Sequence, residues 1–208
     1  MSDGESTERL RVLVVTDLFP SVQDPHRAPF VLQALQYMGA HCDIRVLAPL
    51  SWVTWLKRLA RGAPGGAARG WTGFGGVRCT RPLYFYLPKI GRSFYGIMYF
   101  LSIIGTVLRV RREWDFDAVV GVFAYPDGFA STLAARMLGK PAFLWVVGTD
   151  VNVYARYAVR RRMILWAVRS CRATVAASAA LKQRLVELGA PADRIDVIYN
   201  GVNTAVFN

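Results

Sequence analysis

The sequence predicts an α/β fold, a Rossmann-like, doubly wound parallel sheet, and three observations carry that expectation. Short runs rich in Val, Leu, Ile and Ala recur along the chain at Arg11–Asp17, Asp43–Leu47, Val77–Leu83, Ala118–Val122, Ala142–Val147, Ala173–Ala177 and Asp196–Tyr199. The clearest of them are continuously apolar rather than alternating, as strands covered on both faces of a parallel sheet must be. Helical patterns fill most of the gaps, and strand alternating with helix argues for crossover units.

Arg11–Asp17 (RVLVVTD) reads as a buried first strand. Pro20, Pro25 and Pro29 punctuate the loop after it. Pro29 suits the first turn of a helix, where its missing N–H costs nothing, and that helix runs through Met38 to end at Gly39. Gly62–Gly76 is rich in Gly, Pro and Ala and predicts a mobile loop. Its Gly73-Phe74-Gly75-Gly76 run is no dinucleotide fingerprint, because no strand leads into it and no helix follows closely. Phe94–Arg112 and Phe129–Leu138 predict helices. The uncharged stretch Phe94–Leu108 has 15 residues, short of the roughly 20 needed to span a bilayer, and predicts a core helix. Ala173–Ala177 ends in Ser178, a good N-cap for the pattern Leu181, Leu185, Leu188, which stops at Gly189 with Pro191 just beyond. The expected organisation is a loose polar tail at 1–9, one domain over 10–203, and the start of a linker at 204–208.

With 208 residues and 53% apolar content, the chain can bury a sizeable core and is not disordered. Met1–Glu8 lacks the basic-then-apolar pattern of a signal peptide, so a cytoplasmic location is expected. Cys42, Cys79 and Cys171 lack metal-type spacing and read as reduced thiols. His26 and His41 are the only histidines, so no protein-built metal site is expected. The net charge of +12 leaves nucleic acid, an anionic membrane or phosphorylated small molecules as partners. No RNA-binding aromatic motif, zinc-finger spacing or DNA-reading helix is present, which argues against nucleic acid. Basic residues cluster beside apolar helices instead. In Ser51–Arg61, Trp52, Trp55, Leu56 and Leu59 share one helical face while Lys57, Arg58 and Arg61 lie elsewhere. That is the make-up of an interfacial amphipathic helix, or of a helix packed on its own domain.

Ligands of a doubly wound sheet lie outside the carboxyl ends of its strands. The loops that fall there are Leu18–Ala28, Phe123–Gly128, Gly148–Asn152, Ser178 and Asn200–Asn203. In Tyr125-Pro126-Asp127-Gly128, Asp127 either caps the following helix or holds sugar hydroxyls or a phosphate at its N-terminus. In Gly148-Thr149-Asp150-Val151-Asn152, the short polar side chains either form an Asx turn or bind carbohydrate hydroxyls.

These phrases, with Asn200-Gly201-Val202-Asn203 and Phe207 at the terminus, resemble family-4 glycosyltransferases, retaining enzymes of the GT-B fold. The resemblance covers the chain from Arg11 onward and implies the N-terminal, acceptor-side domain alone. It implies transfer of a sugar from a nucleotide-sugar to a sugar or lipid-linked acceptor hydroxyl with retention, in glycolipid, polysaccharide or glycoconjugate synthesis. It also implies no cofactor, no metal, and a second, donor-binding domain without which this chain is inactive. On that reading Asp127 and Asp150 are the carboxylates of the cleft. Tyr125, Gly128, Gly148, Thr149, Asn152 and Ser178 contact the acceptor, and Pro20, His26, Arg27, Asn200 and Gly201 face the donor. Trp52, Trp55, Lys57 and Arg58 meet the membrane. Three departures limit the transfer. His26-Arg27-Ala28-Pro29 stands where many relatives carry glycines, and Val122-Phe123 and Val147 stand where many carry histidines. A mechanism that leans on those histidines does not carry over. The alternatives are a non-catalytic Rossmann-like module binding a sugar, nucleotide or protein, and another GT-B transferase.

Overall fold

The computed structural model describes residues 9–87 and 94–201. The tail expected at 1–9, apart from Arg9, lies outside the described residues, as do Val202, Asn203, Phe207 and the expected linker. The elements are β1 (Arg11–Val15), α1 (Pro29–Met38), β2 (Asp43–Leu47), β3 (Leu50–Ser51), α2 (Trp52–Leu59), β4 (Ala68–Phe74), β5 (Val77–Arg81) and β6 (Leu83–Tyr84). After them come α3 (Tyr95–Glu113), β7 (Ala118–Val122), α4 (Phe129–Met137), β8 (Ala142–Val146), α5 (Thr149–Asn152), α6 (Ala158–Ser170), β9 (Ala173–Ala176), α7 (Ala179–Glu187) and β10 (Ile195–Val197).

Every expected strand forms, and all are parallel within one sheet of order β10-β9-β8-β7-β1-β2-β5-β4, with β4 antiparallel at the edge. β1 is central: Val14 pairs with Val46 of β2 on one side and Val120 of β7 on the other. Val12–Val15 are buried, which is why this strand reads as a continuous apolar run. The strand order turns back at β1 and β7, so their carboxyl ends form the switch point at which such sheets open a crevice. One sheet face carries Leu13, Val15, Val119 and Leu144 against α3, α4, α6 and α7. The other carries Val12, Val14 and Val46 against Val31 and Leu35 of α1.

Two expectations are corrected. Gly62–Gly76 is not a loop throughout, because Ala68–Phe74 pairs with β5 and Phe74 faces Val77. Gly75 and Gly76 have φ of 58° and 80°, the positive angles that a two-residue hairpin needs to match strand twist. The expected strand Val77–Leu83 also divides at Pro82, which has no N–H for the ladder. Beyond it, Leu83–Tyr84 leaves the main sheet to pair with Leu50–Ser51. α3 meets the expectation of a core helix on one side only. Tyr99, Ile103, Val107 and Val110 are buried, while Ile97, Leu101 and Leu108 are exposed.

Candidate functional site

The site grows from the switch point. β7 ends at Val122, Phe123 takes a positive φ of 73°, and Ala124–Gly128 turns the chain into α4. Gly128 N–H donates to Phe123 O at 2.8 Å and closes the turn. The packing leaves no room for a side chain at two positions. A Cβ on Gly128 would sit 2.6 Å from Phe123 O, and one on Gly121 would sit 2.3 Å from Ser131 Oγ and 2.7 Å from Gly128 Cα. Glycine at 121 and 128 therefore interlocks the strand end with the helix start.

Asp127 lies at the bottom of this turn, 1% exposed. Its Oδ1 accepts from the Asp17 N–H at 2.7 Å and from the Tyr99 hydroxyl. It does not cap α4, whose N-terminus receives no side-chain bond. Its Oδ2 is buried and has no partner among the described residues. Asp17, just beyond β1, is the neighbouring carboxylate. Burial first, and then the charge of Asp17, hold the Asp127 carboxyl well above the usual range; burial also raises Asp17, with Arg27 opposing. A carboxyl raised on folding keeps its proton, so the fold loses stability as pH climbs from the ordinary carboxylate range through the raised one. Asp127→Asn keeps the acceptor oxygen and removes the ionisation. Melting curves across pH should show this variant gaining on the wild type as pH rises; a variant that keeps a constant offset, or falls further behind toward alkaline pH, would contradict the arrangement.

Asp150 is also 1% exposed. Its Oδ2 accepts from Ala124 N–H at 2.5 Å and its Oδ1 from Gly148 N–H at 2.9 Å. It staples the start of α5 to the Ala124–Gly128 turn. Burial raises its pKa and these N–H groups oppose the shift. Gly148 has φ of 150°, an angle that only glycine adopts cheaply. Asp127 and Asp150 thus both sit at the Ala124–Gly128 turn, and both are buried. Thr149 and Asn152 are the exposed polar groups of this loop.

A cluster of tyrosines surrounds the two acids. Tyr84, Tyr86, Tyr95, Tyr99, Tyr125 and Tyr154 form a chain of ring contacts with centroids 4.8–6.3 Å apart. The Tyr95 hydroxyl donates to that of Tyr84 at 2.7 Å, and Gly96 N–H donates to the Tyr125 hydroxyl at 2.8 Å. Tyr125 is therefore buried structure, not a surface contact. Tyr86, Tyr95 and Tyr154 are half-buried. Arg160 lies 5.3 Å over Tyr154 and 4.7 Å over Tyr157. Asp17, the tyrosines other than Tyr125, and Arg160 escaped the sequence reading. The rule that picked the loops after strands would have found Asp17, and the four-residue spacing of Tyr95 and Tyr99 would have placed both rings on one helix face.

The remaining expected residues scatter. The Ser178 hydroxyl accepts from Leu181 N–H at 3.2 Å and is spent as the N-cap of α7. Pro20 is buried, and its carbonyl accepts from Arg81. His26 is exposed. Arg27 is half-buried, and its charge acts on Asp17. Asn200 and Gly201 line an apolar groove of about 710 Å³ with Phe30, Tyr37 and Trp145, on the α1 side of the sheet. In α2, Trp52 Nε1 donates to Tyr86 O at 2.9 Å. Trp55 packs so closely on Gly65 that a Cβ there would sit 2.4 Å from its Nε1. Both rings are half-buried, and Arg58 with them; the outward side chains of α2 are Leu56, Lys57 and Leu59. Among the described residues no cluster of three or more His, Cys, Asp or Glu could hold a metal, and no helix is long and apolar enough to cross a membrane.

The model of the family described as Glycosyltransferase Family 4 matches residues 53–206. Among solved structures, the chain is similar to HepE of Anabaena, crystallised with UDP and glucose. The TM-score is 0.61 at 13% identity, covering 96% of this chain and 46% of HepE. It is also similar to the UDP-GlcNAc 2-epimerases of Methanocaldococcus jannaschii and Neisseria meningitidis. The first gives a TM-score of 0.57 at 11% identity, covering 92% of this chain and 46% of that one. The second, bound to UDP-GlcNAc, gives 0.55 at 16% identity, covering 90% and 45%. At these identities the likeness establishes the fold, and this chain spans about half the length of each structure. No curated protein matches it.

Proposed function

The chain belongs to glycosyltransferase family 4, and from that premise we propose that it forms the acceptor-side wall of an enzyme that moves a sugar from a nucleotide-sugar to an acceptor hydroxyl with retention. The observation that carries this reading is the set of groups gathered at the carboxyl ends of β1, β7 and β8, the side on which such sheets bind their ligands. There Asp17, Thr149 and Asn152 offer hydroxyl-binding groups, and the half-buried Tyr86, Tyr95 and Tyr154 offer aromatic surface for a sugar. Asp127 and Asp150 hold that surface in shape from behind. HepE, which binds UDP and glucose, supports a nucleotide-sugar as donor. The donor meets Arg27 and His26 from this side, and a second domain grips its phosphates. The donor's own leaving phosphate can take the acceptor proton, so the reading asks for no metal and no carboxylate pair of the kind glycosidases use. Free, reduced cysteines fit work on the cytoplasmic side.

Alignment of two reactants between two walls is worth about 7–11 kcal/mol of barrier. Residues 1–208 alone should therefore release no nucleotide from a panel of nucleotide-sugars, while the two-domain protein turns over one of them. Turnover by the purified short chain would contradict the two-wall reading.

A further inference from the structure

Outside the cleft, a broad apolar face is left uncovered by any described residue. The outward line of α3 runs from Ile97 through Leu101 (64% exposed) and Gly105 to Leu108 with no polar side chain on it. Beside it Phe85 and Leu87 point outward, 58% and 55% exposed, and Leu56 and Leu59 do the same on α2. Hydrogen bonds knit the three segments together. Phe85 N–H donates to Ser102 Oγ at 3.0 Å, tying the strand to α3, and Trp52 Nε1 donates to Tyr86 O, tying it to α2. Monomeric soluble proteins rarely leave a contiguous patch of this kind uncovered.

The charge of the chain is concentrated in the same segment. Ile44–Arg112 contains twelve of the 26 Lys and Arg residues and none of the 14 Asp and Glu. The rest of the chain holds 14 of each sign and is neutral, so this one stretch accounts for the whole net charge of +12. Lys57 stands beside the exposed leucines of α2, and Arg111 and Arg112 lie in the last turn of α3, where Arg111 pairs with Asp115 and Arg112 is exposed. Apolar side chains set among cations, with no acid in the segment, complement a surface that is apolar inside and anionic outside.

We propose that this face docks on an anionic lipid bilayer. Leu56, Leu59, Phe85, Leu87 and Leu101 enter the boundary between headgroups and acyl chains, and the basic residues rest on lipid phosphates. The half-buried tryptophans of α2 support the face from beneath rather than anchoring it. The first turn of α3, Tyr95 and Gly96, packs on Tyr125 of the cleft turn. Docking therefore sets the cleft mouth at the bilayer surface, and the acceptor it receives is an amphiphile carried on lipid. That last step rests on the transferase reading; the docking itself does not.

Flotation of the 208-residue chain with vesicles tests the docking without any sugar transfer. Phosphatidylcholine vesicles containing phosphatidylglycerol should carry the protein, and pure phosphatidylcholine should carry little. Binding should fall at 1 M salt, where the Debye length is about 3 Å. Leu56→Glu/Leu101→Glu and Lys57→Glu/Arg58→Glu should each weaken it about tenfold or more. Leu56→Ser/Leu101→Ser, with unchanged circular dichroism, serves if the first variant misfolds. Absence of flotation with anionic vesicles, or equal flotation by the variants, would overturn the proposal. So would a wild-type dimer that Leu101→Glu turns into a monomer, since the face would then be an interface between copies.

Discussion

Asp150→Ala should destabilise the fold by about 2–6 kcal/mol, because it strands two N–H groups, each worth about 1–3 kcal/mol when buried without a partner. The donors are those of Ala124 and Gly148, bonded to the carboxylate at 2.5 and 2.9 Å. For a domain of this size each kcal/mol moves the melting temperature by about 2–4 °C, so thermal denaturation should register a drop of about 5–20 °C. Thr149→Ala and Asn152→Ala, which remove exposed groups of the same loop, should leave the melting temperature alone and change only ligand affinity. A normal melting temperature for Asp150→Ala would mean that this carboxylate is a surface ligand after all.

Gly128→Ala should cost about 1–3 kcal/mol or more through overpacking, since the new Cβ meets Phe123 O at 2.6 Å and Leu144 Cδ2 at 2.9 Å. The oxygen cannot retreat freely, because it accepts the Gly128 N–H that closes the turn. Relief would shift the turn and with it Asp127, Asp17 and the tyrosine floor, so acceptor binding should fall along with the melting temperature. Gly105→Ala provides the contrast. Its Cβ meets nothing within 4 Å, it lies inside α3, and the better helix former should raise stability by about 0.8–1 kcal/mol. Equal melting temperatures for the two variants would show that the turn is not the rigid interlock described.

What the sequence made legible follows from where burial is uniform. β1 is buried on both faces, and β7 and β8 are apolar on both, so their composition alone marks them, and Ser178 before Leu181 and Leu185 announced the cap it makes. β4 was not legible, because an exposed edge strand such as ARGWTGF carries no apolar period. Its one sign was the Gly75-Gly76 pair, which suits a hairpin turn. At the site, residue type and loop position found Asp127 and Asp150 but not their depth. A carboxylate that faces solvent and one bonded to buried N–H groups look the same in a string of letters. Asp17 went unnoticed for the converse reason, since it reads as the last residue of a strand. The outer face of α3 was misjudged because an uncharged run predicts burial and does not say against what.

On the proposed reading, the carboxyl-end side of β1 and β7 receives an acceptor for retaining transfer from a nucleotide-sugar. The most direct test follows the anomeric proton by NMR while the two-domain protein consumes its donor, with water or a natural acceptor receiving the sugar. Nucleotide should be released and the first-formed product should keep the donor's own anomeric configuration. A product of inverted configuration would contradict it, and so would a sugar epimerised at C2 by chemistry of the kind that names the UDP-GlcNAc 2-epimerases sharing this fold.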